Sequence, residues 1–61
     1  MTHENVEDMV KWFVYFIGRH GTKLCHCFED DERQARHFAS LVNGEVVLEI
    51  NGHVVKKEIE P

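Results

Sequence analysis

The stretch Val10-Lys11-Trp12-Phe13-Val14-Tyr15-Phe16-Ile17 is apolar or aromatic at every position except Lys11. Its residues are mainly β-branched and aromatic, without Gly or Pro, which is the composition of a strand in a pleated, buried surface. Because alternate side chains of a strand point to opposite faces of the sheet, this strand offers large apolar side chains to both faces. The sequence therefore predicts a strand in the interior of a sheet.

The segment that follows predicts an antiparallel hairpin. Gly18-Arg19-His20-Gly21-Thr22 supplies two glycines that tolerate positive φ, and residues 23–28 form the returning strand. Alternation divides the returning strand between two faces, with Leu24, His26 and Phe28 on one and Cys25 and Cys27 on the other. Loops of four and of five residues both fit, and they differ in register by one residue. The sequence therefore leaves open which aromatic side chains share the face of His26.

A helix is predicted to begin near Glu29-Asp30-Asp31-Glu32, since negative charge and a capping Asp are favoured at a helix N-terminus. Apolar residues then recur at helical spacing and define one stripe, formed by Ala35, Phe38, Ala39 and Val42 and widened by Leu41. Four polar residues are expected to lie away from the stripe: Arg33, Arg36, His37 and Ser40. Asn43-Gly44 is predicted to end the helix in a left-handed conformation.

Asn51-Gly52 predicts a second hairpin, because this pair is favoured in two-residue type I′ turns. Counting outward from the turn gives a core face with the pairs Ile50–His53, Leu48–Val55 and Val46–Lys57. The pairs on the other, largely solvated face are Glu49–Val54 and Val47–Lys56. The helix is expected to pack against Val46, Leu48, Ile50 and Val55.

These elements predict an α+β fold of ββαββ order over a single small domain, residues 1–61. A right-handed crossover through the helix places the third strand beside the first, which gives a four-stranded antiparallel sheet of order 2-1-3-4 with one helix on one face. The alternative, with the third strand beside the second, needs a parallel neighbour after a short crossover and is disfavoured. Residues 1–8 are expected to form either a disordered arm or a short helix.

One helix can cover only one face of such a sheet, and contiguous exposed aromatic residues usually mark interfaces. We therefore predict a protein interface supplied by Trp12, Phe13, Tyr15 and Phe16, with the register deciding which of them are exposed. A chain of 61 residues has a thin core, and association is a common source of the missing stability, so a homodimer is expected. The alternative is that these residues are singly exposed or are covered by the N-terminal arm. The favoured function is a small protein-binding or adaptor module.

The formal net charge of -4 disfavours general binding to nucleic acid, since it repels a phosphate backbone. A nucleic-acid-binding regulator remains an alternative if the first hairpin and the helix bring a basic patch together. That patch would consist of Arg19, Lys23, Arg33 and Arg36. A further alternative, by analogy from size and charge, is an inhibitor of a basic host surface, as phage-encoded proteins often are.

Cys25 and Cys27, with His20 and His26, are the densest group of metal-ligand residue types. The Cys-x-Cys spacing does not suit tetrahedral zinc, and His26 is expected to point away from both thiols, so neither a metal nor a cofactor is predicted. A disulfide between residues one apart in a strand would be strained, so both thiols are expected to be reduced. Enzymatic activity is not expected, because so short a chain has difficulty forming a substrate-sized pocket.

The N-terminal stretch, residues 1–8, is polar and acidic, whereas a signal peptide needs a basic start and an apolar segment. The apolar stretch of the first strand is too short to span a bilayer as a helix. The protein is therefore expected to be soluble and cytoplasmic, without membrane contact.

Overall fold

The computed structural model describes residues 9–59, which fold in ββαββ order. The elements are β1 (Val10–Ile17), β2 (Lys23–Cys27), α1 (Glu32–Val42), β3 (Glu45–Ile50) and β4 (His53–Ile59). The strands form one antiparallel sheet of order β2-β1-β3-β4, and α1 packs on one of its faces. The predicted fold class and strand order are confirmed. The arm expected at residues 1–8 lies outside the described residues.

The core lies between α1 and the two central strands. Val14 of β1 is fully buried, and Trp12 is only 7% exposed. From α1, Ala35 and Ala39 are fully buried against them, because a methyl side chain lets the helix approach the sheet closely. The predicted stripe on the helix is therefore confirmed at its two alanines.

The first hairpin has a loop of five residues, since Ile17 and Lys23 form its last pair. The Gly18 N–H donates a 2.7 Å hydrogen bond to the Thr22 carbonyl, and Gly21 takes a φ of 79°. Val14 thus lies opposite His26. This register places Trp12, Val14 and Phe16 on the helix side of β1 and Phe13, Tyr15 and Ile17 on the other side.

The ends of α1 follow the sequence signals. The Asp31 carboxylate accepts a 3.0 Å hydrogen bond from the Gln34 N–H, and Asn43 takes the left-handed conformation with a φ of 55°. Two details of the helix prediction are wrong. Leu41 is 67% exposed and does not widen the stripe, while Arg36 does not lie away from it, because its guanidinium stacks 5.4 Å from the centre of the Trp12 ring.

Gly44, directly after the helix cap, is required by close packing. A Cβ at this position would lie 2.7 Å from Val14 Cγ1 and 3.0 Å from the Tyr15 carbonyl oxygen. Real Cβ atoms do not approach other atoms this closely, so glycine lets the chain pass directly over β1 as it enters β3.

The second hairpin turns at Asn51-Gly52 as predicted, with φ values of 54° and 82°. Beyond the first two pairs, however, a β-bulge between Leu48 and Glu49 shifts the register. Leu48 lies opposite Lys56, Val47 opposite Lys57 and Val46 opposite Glu58. The predicted pairs Leu48–Val55, Val46–Lys57 and Val47–Lys56 are therefore wrong.

Val55 is the extra residue of this bulge, and it is 54% exposed instead of packing against α1 as expected. The shift turns Glu58 toward the helix side, where its carboxylate lies 2.7 Å from Arg36 Nη1. It also turns Lys57 to the opposite side of the sheet. The edge strand β4 is therefore linked to α1 by an ion pair, where the sequence predicted an apolar contact through Val55.

No helix within residues 9–59 combines the length and the apolar character that crossing a membrane would require.

Candidate functional site

The sheet face that α1 does not cover is the candidate site, and we call it the open face. Its side chains form four rows across the strands, as the pairing register and strand alternation dictate. The two middle rows are Cys27, Phe13, Val47 and Lys57, followed by Cys25, Tyr15, Glu45 and Ile59. The two outer rows are Lys11, Glu49 and Val54 at one end, and Lys23 and Ile17 at the other.

The centre of the open face is apolar and closely packed without help from a helix. Val47 is only 2% exposed, and it lies directly opposite Phe13. The ring centres of Phe13 and Tyr15 lie 6.4 Å apart along β1. The expectation that this face of the second hairpin is largely solvated is therefore wrong at Val47.

Around this centre, large apolar side chains remain in contact with solvent. Ile17 is 61% exposed, Val54 50% and Ile59 71%. Single exposed apolar residues are ordinary on protein surfaces, but these three share one face with the partly buried Phe13 and Tyr15. The open face therefore has the apolar character that is typical of an association surface.

A depression of about 410 Å³ occupies one end of this face, and its lining includes Tyr15, Ile17, Val47 and Ile59. This volume falls within the range of roughly 300–1,000 Å³ seen for small-molecule sites, so the chain forms a larger concavity than its length suggested. The depression is bordered by Lys23 and Lys57, with Glu45 between them. An apolar group that carries a polar or negative edge would fit such a surface.

The charges of the open face alternate in sign. Lys11 lies directly opposite Glu49 in the outer row near the start of β1, and Glu45 neighbours Tyr15 and Ile59. The face therefore carries three lysines, Lys11, Lys23 and Lys57, against two glutamates. Mixed charges around an apolar centre are typical of a protein interface, where opposite charges fix orientation.

The pKa of Tyr15, on the open face, is raised above its ordinary value. A hydrogen bond between its hydroxyl and the Cys25 side chain raises the pKa of Tyr15, and the negative charge that Cys25 can carry raises it further. The carboxylates of Glu49 and Glu45 act in the same direction, because a negative charge disfavours a phenolate. All of these effects favour the neutral phenol of Tyr15.

The structure separates the four residues of the sequence-predicted interface. Phe13 and Tyr15 lie on the open face, whereas Trp12 is buried beneath α1 and Phe16 packs edge-on against Phe38, with ring centres 5.2 Å apart. Sequence reasoning did not assign Ile17, Val47, Val54 and Ile59 to the interface. Strand alternation puts Ile17 on the face of Phe13 and Tyr15, and counting from Asn51-Gly52 puts Val47 and Val54 on the face away from the helix. The position of Ile59 depends on the bulge.

The four residues of the alternative basic patch do not converge. Lys23 pairs with Ile17 on the open face, whereas the Arg36 guanidinium stacks on Trp12 on the opposite face. Five positions along β1 separate these two points, which is about 16 Å at a rise of about 3.3 Å per residue. Arg33 lies in the first turn of α1 and Arg19 in the first hairpin loop.

Arg36 is moreover engaged by two carboxylates. Its Nε lies 2.8 Å from Glu32 and its Nη1 lies 2.7 Å from Glu58. The hydrogen bond from Arg36 lowers the pKa of Glu58, and Lys56 contributes in the same direction from 3.4 Å. This guanidinium links the helix to β4.

Both cysteines are free thiols. Cys25 is exposed, and the Cys27 sulfur lies 3.9 Å from a carboxylate oxygen of Glu29. His26 lies on the other face, with its ring centre 4.4 Å from that of Phe28. Within residues 9–59, no three His, Cys, Asp or Glu side chains form a group that could hold a metal ion.

Comparisons of the chain with protein-family models, with curated proteins and with solved structures find no match.

Proposed function

We propose that this protein is a small cytoplasmic protein-binding or adaptor module whose binding surface is the open face. The observation that carries the proposal is the set of large apolar side chains left uncovered by α1 around the closely packed Val47. Burying Ile17, Val54 and Ile59 against another protein would remove apolar surface from water, which is the main favourable term in protein association.

The distribution of charge supports a protein partner over the two alternatives. A nucleic-acid site would need its cations on one surface, but Lys23 and Arg36 lie on opposite faces of the sheet. An inhibitor of a basic surface would need an acidic face, but the open face carries more lysines than glutamates. An apolar centre with both signs of charge around it suits a mixed protein surface best.

Three lysine substitutions at exposed apolar positions test the proposal. Ile17→Lys and Val54→Lys place a charge on the open face, whereas Leu41→Lys places one on the helix at a similar exposure, 67% against 61% and 50%. A charge in a desolvated interface costs binding energy, so we expect the open-face variants to lose partners that the wild type and Leu41→Lys retain. The readout is affinity purification from the native cell, followed by titration of the purified partner.

The result depends on folded variants, which circular dichroism establishes for all three. All three positions are exposed, so little effect on folding is expected. Equal loss of binding in Leu41→Lys, or full retention in both open-face variants, would contradict the proposal.

A further inference from the structure

We infer that the open face binds a second copy of this chain, stacked face to face about a two-fold axis that runs parallel to the strands between β1 and β3. This inference rests on the proposed function, since it names the partner of the same surface. It also goes further, because it assigns which residue of one copy meets which residue of the other.

The strand order supplies the geometry. β1 and β3 are the two central strands, so a two-fold axis between them and along them sets β1 of one copy over β3 of the other. These strands are paired antiparallel in register, with Lys11 opposite Glu49, Phe13 opposite Val47 and Tyr15 opposite Glu45. Rotation about this axis therefore places each residue of one copy over a particular residue of the other copy. That residue has the same number as its cross-strand neighbour within its own chain.

The chemistry of the pairs that β1 and β3 stack across the interface is complementary. Lys11 of each copy faces Glu49 of the other, so the charged pair forms twice across the interface. Phe13 lies over Val47 of the other copy, and because Val47 is only 2% exposed, the half-buried Phe13 rings supply the apolar contact at the centre. Tyr15 faces Glu45, so the carboxylate meets a polar phenol instead of an apolar side chain.

The other face-to-face arrangement is poorer. A two-fold axis that runs across the strands, midway between the Phe13 and Tyr15 rows, would stack β1 on β1 and β3 on β3. It would set Phe13 over Tyr15, Lys11 over Ile17 and Glu45 over Val47. Two kinds of charged side chain would then be buried against apolar ones without a partner, which costs free energy. The alternation of charge along the open face therefore selects the axis parallel to the strands.

Sheets that pack face to face cross at about 30°, which keeps the central rows together and separates the corners. With the crossing at Phe13 and Val47, Lys11 lies two residues away, or about 7 Å along the strand. The lateral displacement there is about half that distance for a crossing of about 30°, which the long side chains of Lys11 and Glu49 can span.

The area of the face indicates the strength of association. Four strands about 4.8 Å apart and about 20 Å long give a flat footprint of roughly 400 Å² per copy. The pair then buries roughly 800 Å² or somewhat more, which is less than the roughly 1,200 Å² of stable specific interfaces and falls among weak, transient ones. We therefore expect a weak dimer in equilibrium with the monomer.

Charge exchange between positions 11 and 49 tests the axis. Sedimentation of the wild type is expected to show a monomer–dimer equilibrium as concentration rises. Lys11→Glu alone and Glu49→Lys alone each bring like charges together across the interface, so each variant is expected to associate at least tenfold more weakly. An equimolar mixture of the two variants is expected to regain dimers, because each variant supplies the charge that the other lacks.

The mixture contains its own control. Within each variant chain, positions 11 and 49 still carry like charges, so recovery on mixing can come only from contacts between chains. The double variant Lys11→Glu with Glu49→Lys is expected to associate as the wild type does. A dimer whose affinity does not recover on mixing would overturn the proposed axis.

Isotope-filtered NMR on a mixture of labelled and unlabelled wild type gives a second readout that needs no substitution. We expect contacts between the Lys11 side chain of one copy and the Glu49 side chain of the other, since both keep accessible surface in the single chain. A wild type that stays monomeric up to millimolar concentration would overturn the inference. The lysine variants at Ile17 and Val54 would still decide separately whether the open face binds a different protein.

Discussion

Tyr15 lies on the open face between the apolar Phe13 and the charged Glu45, and the groups around it shift its pKa. The hydrogen bond to Cys25 and the nearby carboxylates favour the neutral phenol, so its folded pKa is raised. Because the raised pKa belongs to the folded state, the resulting stabilisation is fully present below the pKa of an unfolded tyrosine, about 10. It is lost as the pH rises through the folded pKa.

We expect Cys25→Ala to lower the pKa of Tyr15, since it removes the first cause of the shift. The measurement is an ultraviolet titration of the phenolate, which is unambiguous because the chain contains one tyrosine. Cys27→Ala is the matched control, because Cys27 lies opposite Phe13 and should leave the Tyr15 titration unchanged. Identical titrations in the wild type and Cys25→Ala would contradict the assigned hydrogen bond.

At the residue scale, the sequence predicted that part of the β1 aromatic set would be exposed but could not choose the members. Which aromatic residues share a face with His26 depends on whether the loop from Gly18 to Thr22 has an even or an odd number of residues. A glycine-rich loop can close with four or five. Contacts from distant parts of the chain support the observed register: Trp12 and Val14 pack against the small side chains of α1. Local sequence carries no information about these contacts.

At the scale of elements, the bulge in β4 is the main departure from the expected pairing. Its extra residue, Val55, is exposed, and every later residue of β4 already pairs with β3 in the shifted register. Deletion of Val55 would therefore leave Val54 opposite Glu49 and Lys56 opposite Leu48. We expect the shortened chain to keep its fold and a cooperative unfolding transition by chemical denaturation.

Deletion of Val47 is the matched comparison, since it also removes one valine. Val47 lies in central β3 with a strand on each side, so its loss shifts part of that strand to the opposite face. We expect this second deletion to abolish cooperative unfolding. Equal tolerance of both deletions would show that the β3–β4 register does not constrain the fold.

The boundaries of the elements were more accessible to sequence reasoning than the bulge was. Asp31 acts through a side-chain hydrogen bond to a residue three positions along, and Asn43 and the Asn51-Gly52 turn act through their own backbone conformations, so local sequence specifies all of them. The bulge accompanies an ion pair between Arg36 and Glu58, which lie on different elements. A strict alternation argument along β4 cannot anticipate a contact with the helix.

At the scale of the whole molecule, the core within residues 9–59 is small. Its buried apolar residues are Trp12, Val14, Ala35, Ala39, Val46 and Val47, and two of these six are alanines. Association of folded chains stabilises them by mass action, so stability should depend on protein concentration if the second copy binds as inferred.

We therefore expect the midpoint of thermal unfolding to rise as the wild-type concentration rises. The Glu49→Lys variant, with weakened association, should show a smaller rise over the same range. Differential scanning calorimetry at several concentrations measures both. A wild-type midpoint that is independent of concentration would argue that folding and association are not linked.

The two outer strands also determine how large an assembly of this protein can grow. β2 is only five residues long, and β4 carries the bulge followed by Lys56, Lys57 and Glu58. Short, kinked and charged borders are poor templates for the backbone of another chain, so lateral addition of strands is discouraged. In the inferred dimer, pairing through the open face buries its apolar surface once and leaves both helices facing outward, so the expected assembly is a closed, finite particle instead of a fibril.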